Sequence, residues 1–186
     1  FDTHASHSIL VHRATNMALG TLRLILPVAN DLERSFPVQR VLDRESLRTF
    51  NQLPLYCMAE VSRFSLSRQL RRMTDSYARP EHAALSDNSC ALMRLGLMQA
   101  LVPMSRRHGV THWCTVVEPT LERMLAAMAI RFHRIGPLVD YHGRRQPCYG
   151  VIADVLDAVK RERPAFWSVI TDGSALCNQL SMSTDD

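Results

Sequence analysis

The sequence of 186 residues has almost no lysine and no closely spaced cysteines. Only Lys160 is a lysine, so arginine carries nearly all of the positive charge. The five cysteines are separated by 24 to 34 positions, and their number is odd. These spacings match neither a zinc knuckle nor a compact disulfide framework. We therefore expect free thiols in a reducing compartment and no metal site.

Long hydrophobic runs are also missing. Charged residues interrupt the chain long before the roughly 20 apolar residues needed to span a bilayer. The first residues show neither the basic nor the apolar region of a secretory signal. We therefore expect a cytoplasmic protein without a transmembrane segment. Because the chain starts without Met and almost directly in a predicted strand, we also expect that an upstream segment is missing.

The composition excludes disordered and fibrous proteins. Hydrophobic residues make up 46% of the chain and charged residues 22%, which is ordinary for a globular protein. The length fits one domain, at roughly 150 residues per domain. We predict a single domain over residues 1–171 and a polar tail over residues 172–186.

Positive charge is concentrated in one region. The formal net charge is +4. Between residues 60 and 80 there are five arginines but only two acidic residues, Glu60 and Asp75. This pattern favours an anionic partner, and the candidates are a nucleic acid, an acidic protein and a phosphorylated cofactor. Few aromatics accompany the arginines, which disfavours nucleic acid. The alternative is a solvated arginine-rich loop.

Hydrophobic periodicity predicts an α/β fold. Strands are predicted at residues 6–12, 20–26, 55–66, 111–117, 131–140 and 147–152. Helices are predicted at residues 44–51, from a cap at Asp87 or Ser89 to Gly109, from Pro119 onwards, and at 154–161. Residues 73–88 are predicted to be a loop. Hairpins at both ends and a crossover in the middle require a mixed parallel and antiparallel sheet flanked by helices.

The order of these elements and several motifs resemble the GNAT acyltransferases, in particular the acyl-homoserine lactone (autoinducer) synthases. The runs that carry this resemblance are FDT (residues 1–3), GTLRLILP (20–27), EVSRFSL (60–66), GVTH (109–112) and IGP (135–137). Residues 111–149 are most similar to the N-acyl amino acid synthases and exosortase-associated acyltransferases. The loop after Leu66 is longer than in typical lactone synthases, which favours the N-acyl amino acid branch.

The resemblance implies a GNAT-like single domain with N-acyltransferase activity. The enzyme would move a long-chain fatty acyl group from acyl carrier protein to the amine of an amino acid or related small molecule. The alternatives are a lactone synthase that uses S-adenosylmethionine and a non-catalytic acyl-binding module. From the resemblance we also expect that the family's amino-terminal element, which helps to cover the active site, is missing from this sequence.

Glu60 is the candidate general base, because the amine must be neutral when it attacks a thioester. The alternative is a strand glutamate that is ion-paired to Arg63 or Arg23. Glu60 and Arg63 face opposite sides of a regular strand, so they share a site only if a bulge intervenes, as GNAT sheets imply. We expect Arg23 and Arg63 to orient carboxylates, those of Glu60 and Asp2 or of the acceptor. Structural salt bridges are the alternative.

Donor binding is assigned to the end of the same strand and the loop after it. Backbone N–H groups near Phe64, Ser65 and Leu66 are expected to bind the oxyanion. Where the usual GNAT glycine-rich loop would stand, the chain has Arg68, Arg71 and Arg72. Arginines suit the single phosphate of a phosphopantetheine arm, which favours acyl carrier protein over coenzyme A as the donor. No permanently bound cofactor is expected.

Methionines and one tryptophan are candidates for an acyl-chain pocket. Met98 and Trp113 are the chosen residues, because methionine adapts to irregular apolar shapes and a tryptophan can form a wall. Apolar residues at helical spacing are also typical of an ordinary hydrophobic core. The alternative is therefore that these side chains belong to the core rather than to a pocket.

Overall fold

The computed structural model describes residues 2–67 and 83–171, with the backbone alone for residues 83–92. Within these residues, seven strands form one mixed sheet in the order β1-β2-β3-β4-β7-β5, and β6 pairs with β7 at one end. The strands are β1 (Ala5–His12), β2 (Met17–Ile25), β3 (Met58–Leu66), β4 (His112–Val117), β5 (His133–Arg134), β6 (Val139–Asp140) and β7 (Arg144–Val151). β3 and β4 are parallel, and every other pair is antiparallel. The predicted mixed α/β architecture is thereby confirmed.

The described helices are α1 (Arg44–Phe50), α2 (Ala83–Arg107), α3 (Pro119–Ala127), α4 (Ile152–Glu162) and α5 (Pro164–Ile170). The Asp43 carboxylate caps α1 by accepting a hydrogen bond from the Ser46 N–H at 2.8 Å. Pro119 and Pro164 open α3 and α5 at positions where an N–H has no helical partner. The described residues also contain short 3-10 turns at Asp2–His4, Leu32–Arg34, Pro37–Arg40 and Leu55–Cys57.

Apolar residues pack on both faces of the sheet. On one face, the central strands pack with the helices in a large core that includes Leu22, Leu24, Leu101 and Trp113. On the other face, Phe36, Val38 and Phe50 from the segment between β2 and β3 form a second cluster with Ile25 and Met58. The sheet is therefore buried on both sides around β3, which explains the near-continuous burial of that strand's first half.

Three predicted elements were wrong in part. The helix α2 begins at Ala83, so residues 83–88 are helical rather than loop, and neither Asp87 nor Ser89 caps it. Ala83 and Ala84 are strong helix formers, and this outweighs the polar residues that follow. The predicted strand at residues 131–140 is two short strands, because Gly136 adopts φ +70° between them. The first three residues of the strand predicted at 55–66 form a 3-10 turn.

The sequence analysis also missed α5, which follows α4 after one residue. Its buried Ile170 packs in the large core, and Phe166 and Trp167 pack against it. The predicted loop residues 73–82 and the predicted tail at residues 172–186 lie outside the described residues. No helix in the described part of the chain is long and apolar enough to cross a membrane.

Candidate active site

The parallel pairing between β3 and β4 stops in the middle of the sheet. Met58, Ala59 and Glu60 face His112, Trp113 and Cys114, and the ladder ends there, although β3 continues to Leu66 and β4 to Val117. A cavity of about 690 Å³ lies beyond this point and is lined by residues of both strands. The divergence of two parallel strands therefore creates an opening within an otherwise continuous sheet.

Glu60 is the last residue of β3 that pairs with β4, and it lies where the opening begins. Glu60 lines the cavity and is only 3% exposed. Its Oε2 accepts a hydrogen bond from the Val38 N–H at 2.7 Å. Burial raises the pKa of Glu60 to about 8, against smaller opposing effects of the Val38 hydrogen bond and the Arg23 charge. A carboxyl group with such a pKa can both accept and return a proton near neutral pH.

Arg23, Asp2 and Arg63 form a charged group, in which the two arginines line the cavity and Asp2 contacts both of them. Arg23 donates from Nη1 to Asp2 Oδ1 at 2.5 Å and from Nε to Ser62 Oγ at 2.9 Å. Arg63 Nη2 lies 3.5 Å from Asp2 Oδ2. The hydrogen bond from Arg23 holds the pKa of Asp2 below its ordinary value. Among the described residues, both arginines pair with Asp2 rather than with Glu60.

A bulge in β3 redirects the strand next to Glu60. Thr21 faces Ser65 and Arg23 faces Ser62, so Arg63 and Phe64 together oppose one residue of β2. Arg63 has φ +52°, a left-handed conformation that is uncommon outside glycine. The bulge brings Arg63 and Glu60 to the same cavity, as the resemblance implied. Because β4 has diverged, the β3 backbone groups beyond Glu60 that point away from β2 face the opening.

The cavity lining also contains a group of apolar residues. The end of β3, α2, the end of β4 and α3 contribute the apolar residues Leu66, Leu97, Val117, Leu121 and Met124, and the last three of these elements also contribute the polar residues Arg94, Thr115 and Thr120. The cavity therefore joins a polar compartment at Glu60 to an apolar compartment between the sheet and the helices. A molecule with a reactive polar centre and an apolar chain matches this division.

The β6–β7 hairpin contributes residues that the sequence analysis missed. Tyr141, His142 and Arg145 line the cavity, and Arg145 Nη1 lies 3.1 Å from Glu118 Oε2 at the start of α3. Arg145 also donates to the His142 carbonyl at 3.2 Å. The turn residues His142 and Gly143 have φ values of +53° and +93°. Only the run HG before two arginines signals this turn in the sequence.

The structure brings some of the predicted site residues together in the cavity and places others elsewhere. Glu60, Arg63 and Arg23 line one cavity with Phe64, Ser65 and Leu66, and Asp2 contacts both arginines. Arg68, Arg71 and Arg72 lie outside the described residues. Trp113 and Met98 are 0% and 3% exposed in the large core and are not in the cavity lining. The indole N–H of Trp113 donates to Ser105 Oγ at 2.8 Å, so this side chain has a structural partner.

The described cysteines are free thiols, and Cys114 is the one nearest to Glu60 in the sheet register. Complete burial and the nearby Glu60 raise the pKa of Cys114, which keeps it protonated. Among the described residues, no group of three or more His, Cys, Asp or Glu side chains has a geometry that could hold a metal ion.

Comparisons with known proteins identify the fold. No family model matches this sequence, and no curated protein matches it significantly. TofI in its apo form has a TM-score of 0.53 at 20% identity, covering 87% of this chain and 75% of TofI. FeeM, an N-acyl amino acid synthase from uncultured soil microbes, has a TM-score of 0.52 at 15% identity, covering 83% of this chain and 71% of FeeM.

BjaI with MTA, a CoA-dependent acyl-homoserine lactone synthase, has a TM-score of 0.51 at 12% identity, covering 85% of this chain and 64% of BjaI. These similarities each cover more than four fifths of this chain. The chain therefore has the GNAT-like fold of the autoinducer synthases, which the N-acyl amino acid synthase FeeM shares.

Proposed function

We propose that this protein is an N-acyltransferase that moves a long-chain fatty acyl group from an acyl carrier protein thioester to the amine of an amino acid or related small molecule. The observation that carries the proposal is the buried carboxyl group of Glu60 at the point where β3 and β4 separate. A base at this position is within the same cavity as an apolar compartment that suits a fatty chain.

Glu60 acts as the general base in the proposed reaction. Its carboxylate removes a proton from the acceptor ammonium, directly or through one water. The neutral amine attacks the thioester carbonyl, so a C–N bond forms and the C–S bond breaks. The protonated Glu60 then returns this proton to the leaving thiolate, and the regenerated carboxylate takes the second proton from the attacking nitrogen and releases it to solvent, which leaves a neutral amide and a thiol. The raised pKa of Glu60 suits both transfers, because the group holds and releases a proton close to neutral pH.

The β3 backbone stabilises the oxyanion of the tetrahedral intermediate. Backbone N–H groups from Phe64 to Leu66 that face the opening are fixed before the reaction and lie where the thioester carbonyl would enter. The carboxylate of an amino acid acceptor would bind Arg23 or Arg63, since guanidinium groups match carboxylate geometry. Asp2 holds both guanidinium groups on the cavity's polar side.

The acyl chain occupies the apolar compartment formed by α2, α3 and the strand ends. Leu97, Leu121 and Met124 lie along this compartment and replace the pocket expected from Met98 and Trp113. Met124 adapts to an irregular chain, while Leu97 is fully buried and gives a fixed wall.

Acyl carrier protein remains the proposed donor. Arg68, Arg71 and Arg72 supply positive charge next in the chain after β3, which suits both a phosphopantetheine phosphate and an acidic carrier surface. Acyl-CoA is the other donor to be tested, because BjaI, which has a similar fold, is a CoA-dependent enzyme.

The second candidate is an acyl-homoserine lactone synthase that uses S-adenosylmethionine. The similar fold of BjaI, an acyl-homoserine lactone synthase studied with MTA, favours it. The two activities differ in their products, since only lactone formation from S-adenosylmethionine releases methylthioadenosine.

Mass spectrometry of organic extracts tests the proposal. Cells that express the wild-type chain are compared with cells that express Glu60→Gln or Glu162→Gln. Glu162 is paired with Arg131 outside the cavity, so its variant matches the chemical change without altering the site. We expect N-acyl amino acids in the wild-type and Glu162→Gln extracts only. Acyl-homoserine lactones with methylthioadenosine would support the second candidate, and no acyl product from cells or from purified protein with acyl donors would contradict both.

A further inference from the structure

A buried glutamine organises the turn that touches Glu60. Gln39 is 6% exposed in the 3-10 turn Pro37–Arg40, and its side chain makes three hydrogen bonds. Oε1 accepts from the Phe36 N–H at 2.9 Å, while Nε2 donates to the Leu32 carbonyl at 3.0 Å and to Asn51 Oδ1 at 3.3 Å. One side chain thus ties the start of the turn to the segment before it and to the end of α1.

A backbone N–H group of the same turn, that of Val38, donates a hydrogen bond to Glu60. Val38 follows Pro37 in the first part of the turn, where an N–H group has no partner within the turn itself. This N–H donates to Glu60 Oε2 at 2.7 Å. Phe36 and Val38 are fully buried, so the turn has little freedom to move once the Gln39 hydrogen bonds are made. The position of the Val38 N–H therefore depends on Gln39.

We infer that Gln39 is a positioning residue for Glu60, acting through the Val38 N–H that binds the Glu60 carboxyl group. The inference rests on the proposed function of Glu60 as the general base. Gln39 itself does not line the cavity, and it contacts neither Glu60 nor the charged group of Asp2, Arg23 and Arg63 by any hydrogen bond of the described residues.

The charged and titratable groups around Glu60 determine how strongly the Val38 hydrogen bond affects the pKa of Glu60. The positive charge of Arg23 on β2 favours the carboxylate form of Glu60. The charge of Glu60 in turn raises the pKa of the Cys114 thiol on β4. The third contact is the Val38 N–H, which also favours the carboxylate. If the turn relaxes and this donor moves away, Arg23 alone opposes the effect of burial on the pKa of Glu60. The pKa of Glu60 then rises further, and less base is present at neutral pH.

The test is Gln39→Met, which keeps the length of the side chain but removes its hydrogen bonds. The pKa of Glu60 is measured by NMR titration of carboxyl-labelled glutamate, with the signal assigned by its absence in Glu60→Gln. We expect the titration to move to higher pH and kcat/KM at pH 7 to fall about tenfold, because loss of a hydrogen bond to a charged group shifts a pKa by about one unit. The pH profile should move in the same direction as the titration.

Two further variants make the result decisive. Ser105→Ala removes the partner of the buried Trp113 indole far along the chain from the turn, and should lower stability without moving the Glu60 titration. Asn51→Ala removes only the longest of the Gln39 hydrogen bonds and should move the titration less than Gln39→Met. If Gln39→Met fails to fold, Asn51→Ala carries the test.

An unchanged Glu60 titration in a destabilised Gln39→Met, or in Asn51→Ala when that variant carries the test, would overturn the inference and assign Gln39 a structural role alone. A moved titration in a protein that shows no acyl transfer would uphold the positioning role and contradict the proposed function. The NMR and the activity measurements therefore separate the two failures.

Discussion

Glu60 and Cys114 are the last facing pair of the parallel ladder between β3 and β4, and the candidate active-site cavity opens directly beyond them. Both side chains are buried, with Glu60 3% and Cys114 0% exposed. Burial disfavours the charged form of each, and a charge on Glu60 disfavours the Cys114 thiolate further. In the proposed reaction, Glu60 would be the proton acceptor and Cys114 an inert thiol, which fits direct attack by the acceptor amine without a covalent enzyme intermediate.

The first prediction concerns the pH dependence of the reaction. We expect kcat/KM to rise with pH and level off above about pH 8, because Glu60 must be ionised and its pKa is about 8. Glu60→Gln should lower kcat/KM by about 10² to 10⁴. Initial rates of thiol release with a purified acyl carrier protein thioester measure both effects.

The ionising group in that profile can be assigned by changing the acceptor. A midpoint that belongs to Glu60 stays constant when acceptors with different amine pKa values are compared. A midpoint that follows the amine pKa would show that the acceptor, not Glu60, controls the profile, and the base assignment would be wrong.

Folding stability should also depend on Glu60. Below about pH 4.5 the group is protonated in both the folded and the unfolded chain. Between about 4.5 and 8 the unfolded chain loses this proton while the folded protein keeps it, so the free energy of unfolding falls as pH rises. The loss levels off above about pH 8 and amounts to at most about 5 kcal/mol.

Urea unfolding of the wild type and of Glu60→Gln at pH 5 and pH 8 measures this loss. The amide introduced by Glu60→Gln does not titrate, so the difference between the two free energies isolates the glutamate. We expect the wild type to lose stability relative to Glu60→Gln on going from pH 5 to pH 8. An unchanged difference would mean that Glu60 is solvated in the folded protein.

The Arg23–Asp2 ion pair should act as a unit. Arg23→Lys removes the fork that contacts both Asp2 and Ser62, and Asp2→Asn removes the charge that holds the arginine. We expect each change to lower kcat/KM by about 10 to 100-fold, with little further loss in the double variant. Arg131→Lys, which alters a similar pair with Glu162 outside the cavity, is the control and should have full activity. Additive losses would show that the two residues act independently.

Acyl-chain length should depend on the apolar compartment. Leu121→Trp fills part of it, so we expect kcat/KM for the longest accepted chain to fall at least about tenfold relative to shorter chains. Arg123→Trp places the same side chain at an exposed position of α3 and should leave the chain-length preference unchanged. Competition between acyl donors of different length, analysed by mass spectrometry, gives the ratio. An equal preference in both variants would contradict the placement of the chain.

Two glycines with similar backbone angles should respond differently to alanine. Gly136 and Gly109 have φ +70° and +64°, and a Cβ at Gly136 would overlap Ser46 Oγ, whereas one at Gly109 meets nothing within 4 Å. We expect Gly109→Ala to cost about 1 kcal/mol of unfolding free energy from backbone strain alone. Gly136→Ala should cost about 3 kcal/mol or more, because overpacking adds to the strain. Equal costs in urea unfolding would contradict the close packing of Gly136 on α1.

Local patterns in the sequence were sufficient for the regular elements of the fold. The alternating strands β1 and β4 and the proline-opened helix α3 lie where the sequence predicts them, because side-chain periodicity and N–H availability are local properties. The start of α2 and the break at Gly136 were misjudged. Gly136 is fixed by its approach to Ser46, about ninety residues away in the chain, which no local pattern reveals.

The sequence by itself determined the α/β class, the mixed sheet and the run EVSRFSL that contains Glu60, since these follow from periodicity and from the order of motifs. Tertiary structure alone decided that Arg23 and Arg63 pair with Asp2, and that Trp113 belongs to the core rather than to the cavity. It also decided that the Val38 N–H donates to Glu60 and that Gln39 accepts from the Phe36 N–H in the same turn. Burial and hydrogen-bond partners depend on which distant segments meet, and that is set by packing across the whole sheet rather than by neighbouring residues.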